Sequence, residues 1–316
     1  MLAPAGSWEA LRAAVSQGAD AVYLGGRSFN ARAGAENFAD LGAAVEYCGL
    51  RGVKVYLALN TLIKENEMGE ALALAKEAAR TGVAALILQD LGLARRIRDC
   101  CPGMPLHAST QLGTHNPEGV AALRKLGFCR AILARETSLA DAEAMAGLGM
   151  ELEMFVHGAL CVGFSGQCLL SSLIGGRSGN RGRCAQPCRL PWRYRDGERE
   201  AAGYRLSTRD LCLAWDLTAL KQAGVASLKI EGRLRRPEYV AVTVNRYRRA
   251  LDAAEAGASC PLDEEDLRQL KLAYHRGGFC RGYAFGVREE ALMDPSRANH
   301  GGVLAARVLA GDRVEP

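Results

Sequence analysis

The feature that most constrains the fold is an alternation of short apolar segments with amphipathic helical segments, repeated eight times between residues 1 and 257. The predicted strands cover residues 2–6, 19–26, 53–60, 84–90, 105–110, 130–136, 151–158 and 226–233. Strands that alternate with helices form parallel sheets. Eight such units that close on themselves make a (β/α)8 barrel of TIM type, which takes about 250 residues.

An open, doubly wound sheet is the competing α/β architecture. It usually has fewer strands and a G-x-G-x-x-G fingerprint after the first one. No such fingerprint follows a strand here, so the sequence favours the barrel. The predicted helices include residues 207–224, before the eighth strand, and three helices capped by Ser7, Asn116 and Ser138.

The chain divides into two predicted parts. Residues 1–257 form the barrel and include a cysteine-rich loop, residues 158–195, after the seventh strand. Residues 258–316 form a C-terminal extension with one helix, a loop rich in glycine and aromatic residues, and the start of a truncated β appendage.

The composition argues for metal or redox use of cysteine inside the cell, because there are eleven cysteines among 316 residues. No apolar run approaches the roughly 18 residues that a membrane span needs. The N-terminus lacks the pattern of a signal peptide. We therefore expect a cytoplasmic protein that does not bind a membrane. The net charge of +5 permits an anionic partner without demanding one.

The loop over residues 158–195, called the cysteine loop below, has the composition of a metal site. It holds Cys161, Cys168, Cys184 and Cys188 among several glycines. Glycine lets the backbone fold tightly around a compact group, and thiolates prefer zinc, copper(I) or iron–sulfur centres. We interpret the four cysteines as metal ligands.

Three alternatives bear on this interpretation. Free cysteine is a common core residue, but the arginines and prolines around Cys184 and Cys188 do not suggest a core. Zinc sites usually contain paired C-x2–4-C knuckles, and only Cys184 and Cys188 have that spacing. Iron–sulfur clusters accept irregular spacings and are favoured over zinc. Cys212 or Cys280 are substitutes for one ligand.

Polar residues collect where the predicted strands end, and a barrel places its active site at those carboxyl ends. The candidate catalytic residues are His157, Lys229 and Glu231. The candidate substrate-binding residues are Asn60, His107, Gln111, Arg135 and Arg233. Cations around one carboxylate suit an anionic substrate, although Glu231 could serve only to pair with one of them. Either histidine could equally be a structural group.

Basic residues are concentrated near the end of the cysteine loop and in the last barrel helix. With Trp192 and Tyr194 nearby, they could bind a phosphate backbone and stack bases, or form only a solvated face. Hydrolytic signatures are missing, since the sequence contains neither H-E-x-x-H nor G-x-S-x-G.

Several segments resemble one known family. Residues Glu153–Ser172, which read EMFVHGALCVGFSGQCLLSS, are similar to the signature of the collagenase-like peptidase family U32. The opening segment, HASTQ at His107–Gln111, SLKIEGRLRRPEYV at Ser227–Val240 and HRGGFCRGY at His275–Tyr283 resemble that family too. The resemblance covers nearly the whole chain.

The resemblance implies an oxygen-independent hydroxylase that acts on a pyrimidine base in tRNA or rRNA. It implies a [4Fe-4S] cluster on Cys161, Cys168, Cys184 and Cys188, with a prephenate-like anion as the oxygen donor. Lys229, Arg233 and Arg135 would hold that anion, and His157 or Glu231 would move protons. The alternatives are a U32-type peptidase and a non-catalytic iron–sulfur accessory subunit.

Overall fold

Eight parallel strands form a closed barrel. They are β1 (Leu2–Pro4), β2 (Ala21–Gly25), β3 (Lys54–Leu59), β4 (Ala85–Leu88), β5 (Leu106–Ala108), β6 (Arg130–Ile132), β7 (Glu151–Ala159) and, after three further strands, β11 (Val225–Ile230). Each strand from β1 to β7 pairs with the next, and β11 pairs with both β7 and β1, which closes the sheet. The computed structural model describes residues 1–286, 292–304, 307–308 and 314–315. The predicted (β/α)8 barrel is confirmed.

Helices surround the barrel and follow its strands. They are α1 (Trp8–Ser16), α2 (Leu41–Gly49), α3 (Met68–Thr81), α4 (Leu91–Cys100), α5 (Pro117–Lys125), α6 (Leu139–Met145), α7 (Leu170–Gly175), α8 (Leu217–Gln222), α9 (Pro237–Glu255) and α10 (Glu264–Ala273). Of the helices that the structure describes, none combines the length and the apolar character that a membrane span requires.

The predicted caps begin three of these helices. The side chains of Ser7, Asn116 and Ser138 accept hydrogen bonds from backbone N–H groups in the first turns of α1, α5 and α6. Each bond satisfies a donor that the helix itself cannot pair. The caps therefore fix where each helix leaves its loop.

The last barrel helix, α9, packs beside the first, α1. Asn245 donates to Gln17 at 3.0 Å, and Arg248 forms an ion pair with Asp20 at 3.2 Å. Strand β11 hydrogen-bonds to β1 at the same seam, where Leu2 is in register with Lys229. Contacts in the helix layer and in the strand layer thus both join the first unit of the barrel to the last.

The predicted helix over residues 207–224 is wrong in its first half. Asp210–Cys212 forms strand β10, which pairs antiparallel with the end of β7, and only Leu217–Gln222 is helical. All three residues of β10 are buried, and their strand conformation comes from this pairing with β7 rather than from a local pattern. Two further strands, β8 (Trp192–Asp196) and β9 (Arg199–Gly203), form an antiparallel hairpin that the sequence analysis did not predict.

The chain after α9 packs against the rim of the barrel. Strand β12 (Phe279–Cys280) is parallel to β10 and extends the sheet. Two short strands, β13 (Arg307–Val308) and β14 (Val314–Glu315), pair antiparallel in the segment where we predicted the start of a β appendage. Half of residues 301–316 lie outside the described residues, and Gly311 and Asp312, where the sequence predicts a turn, are among them.

Candidate active site at the barrel mouth

A cavity of about 290 Å³ lies at the carboxyl ends of the barrel strands, under the cysteine loop. All four predicted ligand cysteines line it. Six of the eight predicted polar site residues line it as well: Asn60, Gln111, Arg135, Lys229, Glu231 and Arg233. The structure therefore brings the cysteine loop and most of the polar residues to one site.

Two glycines seat the cysteine loop on the rim. A Cβ atom at Gly166 would lie 2.0 Å from the carbonyl oxygen of Gln111, and one at Gly182 would lie 2.4 Å from that of Asn30. Both glycines also have positive φ angles, of 78° and 75°. Only glycine fits such a close approach in that conformation.

Arg189 anchors the end of the loop. Its guanidinium donates to the carbonyl oxygen of Leu160 at 3.0 Å, to Ser207 Oγ at 2.8 Å and to Thr208 Oγ1 at 2.7 Å. Arg189 also donates to the backbone carbonyl of Thr208. One half-buried cation, directly after Cys188, thus holds this end of the loop in place.

Arg181 anchors the middle of the loop on the opposite side of the mouth. It donates to the carbonyl oxygen of Leu62 at 2.6 Å and forms a two-pronged ion pair with Glu67. The pair lowers the pKa of the Glu67 carboxyl to about 2, chiefly through the hydrogen bond from Arg181. Within the described residues, it is the ion pair that ties residues 158–191 to the barrel.

The four thiols form one electrostatic group. Burial raises the pKa of Cys188, and the nearby thiols of Cys161, Cys184 and Cys168 raise it further. The backbone N–H of Gln186 donates to Cys184 Sγ at 3.3 Å, a bond that favours the thiolate.

The donor chemistry fits an iron–sulfur cluster with four thiolate ligands, and all four cysteines line the same cavity. A Cβ atom at Gly163 would lie 3.0 Å from that of Cys168, so the backbone closes around that ligand. Among the residues that the structure describes, no three His, Cys, Asp or Glu side chains come together as ligands for a metal ion. The cluster assignment stays a prediction.

The two proposed substitute ligands lie elsewhere. Cys212 is buried and contacts the Tyr247 hydroxyl at 3.7 Å, and burial raises the pKa of its thiol to about 11. Cys280 lies beside β10, and neither thiol lines the cavity. The spatial arrangement therefore favours the original four.

Glu231 is the carboxylate of the cavity. Arg32 and Arg135 each contact it at 3.0 Å. Burial alone would raise its pKa, but Arg32, Arg135 and Arg233 outweigh that effect and hold the pKa at about 2. A carboxylate this acidic is a weak base near neutral pH. Its geometry therefore supports a role in ordering the guanidinium groups rather than the predicted role in proton transfer.

Lys229 belongs to a buried charge network in the barrel. Its ammonium donates to Glu153 at 3.0 Å, and Arg130 contacts the other oxygen of Glu153 at 3.2 Å. Burial lowers the pKa of Lys229, while Glu153 opposes that shift. Lys229 also lies 4.4 Å from the Tyr23 ring centroid. Lys229 thus forms part of the cavity floor, with Glu153 as its partner instead of Glu231.

The two predicted histidines do not line the cavity. His157 is fully buried among aromatic rings, and its Nδ1 lies 3.3 Å from the Tyr247 hydroxyl. His107 packs edge-on against Tyr56. Burial lowers the pKa of each to about 3, so both rings are neutral. The proposed catalytic role of His157 and substrate contact of His107 disagree with this placement.

Asn60 and Gln111 form a linked pair of amides on the other wall. Gln111 donates to the backbone carbonyl of Asn60 at 2.9 Å, and Asn60 Oδ1 accepts from the N–H of Ala31 at 3.0 Å. Asn60 also contacts Ser109 Oγ at 3.5 Å. These bonds hold two polar side chains in fixed orientations beside the cations.

The family follows from comparison with known proteins. The model of peptidase family U32 matches residues 6–294. The chain belongs to peptidase family U32.

Three relatives of this U32 chain differ in their described activities. The 23S rRNA 5-hydroxycytidine synthase of Escherichia coli is 40% identical over 258 residues, covering 80% of this chain and 39% of that protein. The tRNA hydroxylation protein P1 of Bacillus subtilis is 36% identical over 267 residues, covering 80% and 63%. The collagenase of Porphyromonas gingivalis is 34% identical over 312 residues, covering 91% and 74%. The chain therefore spans less than two thirds of the first two relatives.

Hydrolysis by a cysteine or serine nucleophile can be checked in the part of the U32 chain that the structure describes. Across residues 1–286 and 292–304, no histidine ring hydrogen-bonds to a cysteine or serine side chain. A cysteine or serine nucleophile needs such a base to be activated. What favours the peptidase alternative is therefore the collagenase relative and not a histidine-paired nucleophile.

Two residues that shape the candidate site of the U32 chain escaped the sequence analysis. Arg32 lies in the loop after β2, and Glu153 is within β7. Glu153 offered a signal, because an acid inside an apolar strand must find a partner. Arg32 offered none, because a loop arginine has no fixed position in the sequence pattern.

The arginines of α9 are paired rather than free. Arg246 and Arg249 both contact Asp266 on α10, at 3.1 and 2.7 Å, and Arg248 contacts Asp20. These ion pairs join α9 to α10 and to the residue that precedes β2 in the U32 barrel. The geometry thus favours the structural interpretation of this cluster over a phosphate-binding one.

Proposed function

We propose that this chain hydroxylates a pyrimidine base in tRNA or rRNA without molecular oxygen, using a [4Fe-4S] cluster held by Cys161, Cys168, Cys184 and Cys188. A prephenate-like anion would be the oxygen donor. The relatives described as an rRNA 5-hydroxycytidine synthase and a tRNA hydroxylation protein support the RNA substrate. An RNA substrate also fits the expected cytoplasmic location.

One observation carries the proposal: four cysteines and an excess of cations share one cavity. Glu231 is the sole acid among the cavity-lining residues. Seven cations line the same cavity: Arg32, Arg135, Arg189, Lys229, Arg233, Arg235 and Arg276. Two of these cations are paired with acids behind the cavity wall, Lys229 with Glu153 and Arg276 with Asp210. The remaining five cations share Glu231, and this smaller surplus of positive charge attracts anions and strengthens their binding in a partly enclosed site.

Arg233 is the best candidate for the anion contact. It is buried, it donates to Asn30 at 3.2 Å, and its Nε has no hydrogen-bond partner. Burial lowers its pKa to about 10, and the neighbouring Arg32 contributes to that shift. A buried cation that lacks a carboxylate of its own favours a bound anion. Arg135, whose Nε is also unpartnered, would contribute a second contact.

The remaining polar residues of the cavity would bind and orient the anion and the base. Lys229 would add a third positive charge under the anion while Glu153 and Arg130 keep it fixed. Asn60 and Gln111 would contact the polar edge of the base. When bound, the cluster would supply electrons or polarise the oxygen donor. The cysteine loop would cover part of the site.

The test is a deletion strain analysed by mass spectrometry of its RNA nucleosides. Loss of one hydroxylated pyrimidine, restored by the wild-type gene and not by a Cys184→Ser variant, is the expected result. Unchanged hydroxylated pyrimidines in the deletion strain would refute the proposal. Restoration only together with a second family member would instead support an accessory subunit.

A further inference from the structure

The β8–β9 hairpin carries exposed aromatic surface beside the mouth of the barrel. Tyr194 is 60% exposed and lies on one face of the hairpin with Trp192. The residue directly across from Tyr194 is Ala201, and the residue across from Trp192 is Gly203. Cross-strand partners on one face normally cover each other. Neither a methyl group nor a hydrogen atom can cover these rings.

The hairpin is held in a fixed position relative to the cysteine loop. Trp192 donates from its indole Nε1 to the carbonyl oxygen of Pro187 at 3.0 Å, in the turn that carries Cys188. At the other strand end, the N–H of Tyr204 donates to the carbonyl oxygen of Pro295 at 3.0 Å. The exposed ring of Tyr194 therefore stands a short distance along the chain from a ligand cysteine.

The charge around the hairpin favours a polyanion. From residue 154 to residue 195 there is no Asp or Glu, while there are six arginines. Four of these arginines are exposed: Arg177, Arg183, Arg193 and Arg195. Arg193 and Arg195 lie on the face of β8 opposite to Tyr194, and Arg193 contacts Glu200 at 3.3 Å. The turn and β9 add Asp196, Glu198 and Glu200 against Arg199, so residues 154–203 hold seven arginines and three acids. A ligand here would meet the uncovered Tyr194 ring on one face of β8 and Arg193 and Arg195 on the other face.

We propose that the β8–β9 hairpin is a docking arm for single-stranded RNA, in which the Tyr194 ring stacks on an unpaired base near the base that is modified. Aromatic side chains beside a basic groove are the usual means of binding single strands. An acidic protein would match the charge, but it would not account for the exposed aromatic ring. The inference rests on the proposed RNA substrate and extends it to a binding surface outside the cavity.

The experiment measures binding without turnover. Anaerobically purified protein is titrated into a fluorescently labelled single-stranded RNA of about 12 nucleotides, a length within the usual range of such sites. Tyr194→Ala should weaken binding by about 5-fold or more, because stacking of one base is lost. Tyr194→Phe should bind like the wild type, since it keeps the ring.

Salt dependence separates stacking from charge. Tyr194→Ala should leave the slope of log K against log salt unchanged. Arg195→Ala should reduce that slope by about 0.7, the value for one phosphate contact with a single strand. Leu50→Ala is the matched control, because Leu50 is 78% exposed at the end of α2 on the outside of the barrel.

Several results would overturn the inference. Wild-type protein that does not bind the RNA would do so, as would Tyr194→Ala binding within twofold of the wild type. Equal losses in Tyr194→Phe and Tyr194→Ala would show that the hydroxyl group matters and not the ring. Binding is measured independently of hydroxylation, so a failure here is distinct from a failure in the nucleoside analysis of the deletion strain.

Discussion

Arg189 donates to the carbonyl oxygen of Leu160 at 3.0 Å, and this bond closes the cysteine loop. Leu160 immediately precedes Cys161, and Arg189 immediately follows Cys188. The first and last of the four cysteines are therefore held together by a contact that involves neither sulfur. The loop is shaped by the protein as well as by any group that the thiols bind.

Arg189→Met should destabilise the protein by about 2 kcal/mol or more, because several hydrogen bonds from a half-buried cation are lost. Iron per chain should fall in the same variant. Urea unfolding and iron analysis measure the two effects. Arg193→Met is the control, since the Arg193 side chain is largely exposed and its pairing with Glu200 is worth little. Full iron content in Arg189→Met would contradict the prediction.

Each single Cys→Ser change at Cys161, Cys168, Cys184 or Cys188 should greatly reduce iron and sulfide from about four of each per chain, the content of a [4Fe-4S] cluster. Cys100→Ser should leave both unchanged, because Cys100 is an exposed residue at the end of α4. Metal analysis and the visible absorption spectrum provide the measurements. Zinc in place of iron in the wild type would contradict the cluster assignment.

Stability should fall in acid as Glu231 becomes protonated. The pKa of Glu231 is about 2 in the folded chain against an ordinary value of 4.5. The unfolded chain therefore binds this proton more tightly, so the contribution is present above pH 4.5 and is lost as the pH falls towards 2. The difference corresponds to roughly 3 kcal/mol.

A comparison with Glu231→Gln isolates that contribution. The gap in unfolding free energy between wild type and variant should be large at pH 6 and should shrink steadily below pH 4.5. Urea unfolding of both proteins at several pH values provides the measurement. A gap that stays constant from pH 6 to pH 3 would show that the three guanidinium groups do not hold Glu231 ionised.

Glu153 and Lys229 should differ in how much stability they contribute. Glu153→Gln leaves both Lys229 and Arg130 without their buried carboxylate, and should destabilise by about 3 kcal/mol or more. Lys229→Met leaves Glu153 paired with Arg130, so its effect should be smaller. Urea unfolding of the two variants measures the order, and the reverse order would contradict the network described here.

The Arg181–Glu67 ion pair should hold the cysteine loop against the barrel. Glu67→Arg and Arg181→Glu should each speed the loss of iron to a chelator severalfold, because the loop loses its ion pair to the barrel. The double variant with both changes should recover much of the retention. Glu65→Arg is a neighbouring control that leaves the pair intact. No recovery in the double variant would argue against direct coupling.

The barrel was predictable because each of its units carries a local signal. Caps such as Ser7 and Asn116 mark helix starts, and apolar runs such as residues 84–88 mark buried strands. The segment around Leu211 was misassigned because its apolar residues also suit a helix. Its strand conformation depends on pairing with β7 and β12, contacts that a local pattern does not contain.

The site was predictable only where strand ends or cysteine spacing indicate it. Asn60, Gln111 and Arg135 follow strands, and a barrel gathers such residues at one end. His157 also lies near a strand end, but its side chain packs among Tyr239, Tyr247 and Phe279. The direction in which a side chain points depends on strand tilt and register, which the sequence does not reveal.

Gly166 and Gly182 each present only a hydrogen atom where the cysteine loop meets the rim. The distance between the cysteine loop and the rim of the barrel is therefore set at two points by hydrogen atoms, the smallest substituents possible. One added methyl group at either point would push the cysteine loop off the rim and widen the cavity that the four cysteines line.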